Sequence, residues 1–254
     1  MRAAELSATA TQTREDAVAP GQMRITETNT STRELTVTSV ALDSPGFAPA
    51  PASPRDDPFP PGVRYALPAR YGEPRCTLAP LPATAVVQAH ARTGPSVTLR
   101  LPLNSSDGLL ERLHEQACRT ARLAQRVRLS VVDLAPAGPA VLRGTVRIQR
   151  RAGAGPIALT EVRDSVVFTL RLPLPAVLPV GSDRLDVPLE VRMASCSGHV
   201  IGEAKQPYLF PAFLRLDGAQ AQLDLPTTSA EHRLLQELVR TGCAGEQGGP
   251  GASG

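Results

Sequence analysis

The chain has 254 residues, room for two domains of ordinary size, and 42% of them are hydrophobic, which argues for a globular protein over a disordered one. Aromatic residues make up only 3%, tryptophan is absent and the formal net charge is a modest +3, so neither base stacking nor a strongly basic stripe supports a nucleic-acid partner. No stretch approaches the length of a membrane span.

The chain opens with Leu6–Gln12, which alternates apolar and polar residues as a half-buried strand does. Met23–Thr28 and Glu34–Leu42 follow as strands, and Asn29-Thr30-Ser31-Thr32 between them has the turn chemistry of a hairpin. Gly46–Gly62 is rich in proline. It reads as a stiffened crossover loop between sheets in preference to a polyproline ligand for an SH3-like partner. Val63–Ala69, Ala83–His90 and Ser96–Leu103 complete the first set of strands. A helix then carries Leu109, Leu110, Leu113 and Ala117 on one face, with Ser105, Ser106 or Asp107 as its cap.

A second set follows: Arg126–Asp133, Val141–Arg150, Ile157–Val162, Ser165–Leu172, Leu185–Met193, Tyr208–Leu216 and Ala221–Leu225. It too ends in a helix, with Leu234, Leu235, Leu238 and Val239 on one face and Thr228 or Ser229 as cap. The two sets are copies. Leucines stand nine, eight and five residues before Cys118 and again before Cys243, an offset of 125. Asp43-Ser44-x-x-Phe47 returns as Asp164-Ser165-x-x-Phe168, and Cys76 with Pro68 returns as Cys196 with Pro188. Near-constant offsets mark an internal duplication, which decides the architecture.

Four cysteines allow three pairings. Duplication of a self-contained unit selects Cys76 with Cys118 and Cys196 with Cys243. Disulfides persist in oxidising compartments, so an extracellular or cell-envelope location is expected. The residues Met1–Glu5 run into the first strand with no apolar leader, so export implies that a signal peptide or an N-terminal membrane anchor has been removed.

The run Ile25-Thr26-Glu27-Thr28-Asn29-Thr30-Ser31-Thr32-Arg33-Glu34-Leu35-Thr36-Val37 and the Pro61-Gly62 turn resemble the opening of immunoglobulin-like domains in exported bacterial proteins, and the Ala-, Arg- and Pro-rich composition looks actinobacterial. The resemblance implies antiparallel immunoglobulin-like sandwiches; with the repeat, it makes a mainly β chain of two in tandem, each closed by one C-terminal helix tied by its own disulfide, a bond that departs from the sheet-to-sheet disulfide of antibody-type domains. Residues 1–122 form the first repeat, 123–243 the second and 244–254 a disordered Gly-rich tail. The antibody-type core tryptophan, and the tyrosine two residues before a cysteine, are missing.

Candidate chemistry is sparse. Met193, Cys196 and His199 are spaced like soft-metal ligands, but the first copy has Glu73, Cys76 and Ala79 there, and a disulfide would remove the thiolate. No metal and no cofactor are expected. The four histidines belong to no hydrolase motif, and the pairs Glu15-Asp16 and Asp56-Asp57 read as solvated turn residues. No catalytic residue is assigned. Asn29-Thr30-Ser31 and Asn104-Ser105-Ser106 match the N-glycosylation pattern of surface loops. Tyr208, Phe210 and Phe213 gather three of the eight aromatics into six residues and are the candidate interface. The expected function is non-catalytic binding of a protein or envelope component. A secreted hydrolase or metal-binding protein and a structural spacer are the alternatives.

Overall fold

The computed structural model describes residues 6–17, 21–92 and 94–244, the side chains of Ser105 and Ser106 excepted. The expected tail lies outside the described residues beyond Ala244. The fold is mainly β, with several sheets and two disulfides. The chain divides into one unit ending at Arg119 and a second beginning at Thr120.

Unit 1 contains β1 (Leu6–Thr11), α1 (Arg14–Ala17), β2 (Gln22–Asn29), β3 (Leu35–Asp43), β4 (Ser53–Phe59), β5 (Arg64–Arg70), β6 (Thr84–Ala91) and β7 (Val97–Ser105). These strands form one seven-stranded sheet in the order β4-β3-β6-β7-β1-β2-β5. Two separate sheets were the expectation. They are joined here because β1 pairs antiparallel with β2 along its whole length and parallel with β7 at Ala8–Ala10. β5 then comes near β3 and β4 without a ladder between them, so the sheet rolls nearly into a barrel. Alternate residues turn inward (Met23 and Ile25 of β2, Val87 and Ala89 of β6) and build an aliphatic core.

Asn29-Thr30-Ser31-Thr32 does not close a hairpin. β2 pairs with β1 and β5, whereas β3 pairs with β4 and β6. The reason is Asn29, whose amide nitrogen donates to Arg33 O at 2.8 Å and Phe59 O at 2.6 Å while Oδ1 accepts from the Ser31 backbone and hydroxyl. That side chain locks a turn which carries the chain from one part of the sheet to another. Asn29 is fully buried, so of the two glycosylation patterns only Asn104 is exposed.

The proline-rich passage is also more ordered than a crossover loop. Its second half is β4, an edge strand beside β3. Pro54 and Pro58 point outward there, where a missing N–H costs least. The Pro61-Gly62 turn follows, with Gly62 at φ 75°, a conformation that L side chains rarely adopt.

α2 (Leu109–Arg126) is longer than expected. It continues past Cys118 and leads straight into the next strand. Residues 119–125 contain no Gly or Pro to stop it, and Arg119 reaches Glu115 one turn back at 2.6 Å. Leu109, Leu110 and Leu113 enter the core of unit 1, and Leu123 that of unit 2.

Unit 2 contains β8 (Val127–Gly138), β9 (Val141–Arg150), β10 (Ile157–Val162), β11 (Phe168–Arg171), β12 (Ala176–Leu178), β13 (Arg184–Met193), α3 (Gly198–Glu203), β14 (Pro211–Leu216), β15 (Ala219–Asp224) and α4 (Ser229–Gly242). They make two four-stranded sheets, β11-β13-β9-β8 and β12-β10-β14-β15. β12 and α3 have too few residues to show a period in the sequence. Thr228 and Glu231 cap α4 reciprocally, and Leu235 and Leu238 are buried beneath it.

Each unit holds one crosslink. Cys76 is bonded to Cys118 with Cα atoms 5.6 Å apart, and Cys196 to Cys243 at 5.4 Å. Loops of this length correspond to roughly 4 kcal/mol each in the chain-entropy description.

Replacing Asn29 by Ala strips the buried carbonyl of Phe59 of a partner and removes one of the two donors to that of Arg33. A loss of about 2 kcal/mol of stability is expected in urea unfolding; a change below 0.5 kcal/mol would contradict this role.

Candidate functional site

Strand periodicity sends every second residue of β8, β9, β11 and β13 to the outer face of their sheet. That face carries Arg128, Arg143, Arg147, Arg171, Arg184 and Arg192. Register sets them in rows: Arg184, Gln149 and Arg128 lie side by side, as do Arg171, Glu190 and Arg143.

Two carboxylates at the centre organise the guanidinium groups. Arg147 donates to both oxygens of Asp186 at 2.8 and 3.0 Å, and Arg184 stands 3.6 Å from the same carboxylate. Glu190 accepts from Arg192 at 2.6 Å and from two nitrogens of Arg143, both at 3.1 Å. Hydrogen bonds from Arg147 hold the Asp186 carboxyl below its ordinary range, and those from Arg192 and Arg143 do the same to Glu190. Asp133, at the β8 bulge, adds its charge to the field on Arg147. Arg128 and Arg171 have no acidic partner among the described residues. Six arginines against three carboxylates leave a surplus of three charges, as large as the formal net charge of the whole chain. Exposed ion pairs add little stability, so the fold does not explain this arrangement.

The outward positions of β1, β2 and β5 in unit 1 differ. Thr9, Thr11, Thr26 and Thr28 stand there with Arg64 and Arg70 of β5, and Arg24 is tied to the buried Asp16 at 2.9 Å. Asp16 itself caps α1 by accepting from the Thr13 backbone and hydroxyl. Burial raises its acidity constant's midpoint, but those bonds and Arg24 outweigh burial and lower its pKa. Asp16 is therefore structural and not a solvated turn residue.

The aromatic cluster of unit 2 is mostly core. Phe210 is 2% exposed and packs against Phe168, so it offers no contact surface. Tyr208 stacks on His232 with ring centres 4.5 Å apart and on Phe168. Phe213 faces the other way, half-buried beneath the guanidinium of Arg163 at 4.4 Å. The three residues thus form no common face. Alternation places Phe210, Ala212 and Leu214 inward together.

The histidines are also spoken for. His114 packs edge-on against Phe47 and lies near Arg75 O and Cys118 Sγ. His90 contacts the Ala91 carbonyl, and His199 is exposed beside Glu203. His232 Nε2 sits 2.7 Å from the Thr227 hydroxyl, but no carboxylate orients the ring among the described residues. Cys196 has no thiolate to give a metal, and the described residues contain no group of three metal-ligating side chains.

One polar cluster escaped sequence reasoning. Glu27, Arg55 and Asp57 occupy inward positions of β2 and β4, with Tyr65 of β5 opposite Glu27 in register. Glu27 is fully buried, and neither of its carboxylate oxygens has a hydrogen-bond partner; Arg55 Nε and Asp57 Oδ2 share that condition. Burial, helped by the charge of Asp57, pushes the Glu27 pKa up to about 8. Asp57 is therefore no solvated turn residue. The signal was available in the period of two that places Met23, Ile25 and Glu27 on one face.

No protein-family model matches the chain, and no curated protein matches it. A solved structure, that of a protein of unknown function from Porphyromonas gingivalis, shares 15% identity over 87% of this chain and 98% of its own, with a TM-score of 0.22. So loose a superposition establishes neither a common fold nor a common function.

Glu27 keeps in the fold a proton that the unfolded chain releases near pH 4.5. Its stability contribution is thus whole below about 4.5 and is lost as pH rises to about 8. Unfolding free energies from urea titrations should fall across that window by on the order of 1 kcal/mol per pH unit, and Glu27→Gln should flatten the decline. Parallel curves for the two proteins would show that Glu27 titrates normally.

Proposed function

We propose that the protein is a non-catalytic binding protein of the cell exterior or envelope, built from a duplicated immunoglobulin-like sandwich. Three observations support the reading. The two units share a pairing scheme. In each, the second strand lies between the first and the strand that precedes the cysteine segment, and the third lies between its edge partner and the penultimate strand. Both units have a C-terminal helix crosslinked back to that segment, through Cys118 in the middle of α2 and Cys243 just after α4, the bond expected of an oxidising compartment. No described helix is long and apolar enough to cross a membrane.

The observation that carries the binding function is the arginine face of unit 2. Duplicated modules diverge where they work, and the two copies differ here: six arginines ordered around central carboxylates stand on the face of unit 2, against Arg24, Arg64 and Arg70 on the corresponding face of unit 1. A spacer would give no reason for it. The hydrolase reading rests on the Thr227–His232 hydrogen bond, which lacks an orienting acid and stacks its imidazole on Tyr208.

Immobilised on a support, the native protein should retain an envelope component that the same protein denatured in place does not. Equal retention by both forms, or retention by neither, contradicts a binding function; turnover of an ester or glycoside substrate would favour the hydrolase.

A further inference from the structure

We propose that the outer face of the β11-β13-β9-β8 sheet binds an acidic polysaccharide, its arginines holding the carboxylate or sulfate groups of the chain. This rests on the binding-protein reading and supplies its ligand class.

Charge complementarity gives the sign of the partner. The residue type gives its chemistry: a guanidinium presents a planar fork that matches an oxyanion with two parallel hydrogen bonds, and this face contains arginine and no lysine. Asp186 already holds Arg147 by such a fork, and Glu190 accepts from Arg143 and Arg192, which keeps three guanidinium planes ordered across the sheet. An incoming oxyanion meets side chains that have lost part of their rotamer freedom in advance, which lowers the cost of binding.

Arg128 and Arg171 complete the arrangement. They sit on the two outer strands, three rows apart, hence about 25 Å from each other along the diagonal of the sheet. That is the reach of an extended polymer and exceeds that of a single small anion. Among the side chains between them are Ser130, Thr145 and Gln149, hydroxyls and an amide suited to sugar hydroxyl groups.

The same face disfavours the other polyanions. It carries no aromatic side chain on which a nucleic-acid base could stack. Its outward apolar residues, among them Val132, Val141 and Pro188, are too few to enter a bilayer alongside the charges.

The test titrates the full-length protein with heparin, polygalacturonate, neutral dextran, poly(dT) and phosphatidylglycerol vesicles at several salt concentrations. Wild type should bind heparin or polygalacturonate with a Kd that weakens as salt rises, and should ignore dextran. Arg128→Glu with Arg171→Glu should weaken that Kd at least tenfold. Arg64→Glu with Arg70→Glu, the same change of charge on β5 of unit 1, should shift it less than twofold. Should the first variant fail to fold, Arg128→Gln with Arg171→Gln must still show a loss. No binding to either acidic polysaccharide, equal loss in both variants, or tighter binding to poly(dT) or vesicles overturns the proposal. Retention of an envelope component without polysaccharide binding overturns only the ligand class and leaves the binding-protein reading standing.

Discussion

Each unit is closed by a helix that its own disulfide holds in place, and the rest of the molecule depends on that closure. With eight aromatic residues in the whole chain, the cores are built from Val, Leu, Ile and Ala, and each such side chain contributes less buried area than a ring. A leucine-lined helix pressed on one end of a sheet adds apolar burial. The crosslink just beyond its stripe keeps it there by limiting the freedom of the unfolded chain. Cys118 and Cys243 are both buried while Cys76 is exposed, so the anchor lies on the helix side.

Scaffolds secured this way can carry features that do not serve stability. Unit 1 tolerates a buried carboxyl without a hydrogen bond, kept neutral near pH 7 by its raised pKa. Unit 2 spreads six arginines over one sheet face, whose exposed ion pairs contribute little to folding. The first feature is an internal cost that makes stability depend on pH. The second is an outward one that makes sense as recognition.

Much of this was readable from the residues alone. The repeated cysteine spacing identified the pairing, and period-two alternation located most strands, because both signals recur within the chain. The Thr228–Glu231 cap was visible as a spacing of three. What misled was local chemistry whose meaning depends on distant partners. Asn29-Thr30-Ser31-Thr32 has hairpin residues, yet Phe59, thirty positions away, accepts from Asn29 and turns the chain elsewhere. Asp57 lies among prolines and reads as a loop residue until β3 pairs beside it. The arginine face was hidden for a similar reason: its members are scattered over 65 positions, from Arg128 to Arg192, and only strand register brings them together. The aromatic cluster failed in the opposite way. Its residues are adjacent in sequence, and alternation divides them between the core and a cation–π contact.

A peptide map of the protein under non-reducing conditions reaches the central claim most directly. The account predicts two crosslinked peptide pairs, one joining Cys76 to Cys118 and one joining Cys196 to Cys243, with no free thiol. A bridge from either cysteine of unit 1 to either of unit 2, or four unmodified thiols in protein recovered from its native compartment, would contradict it.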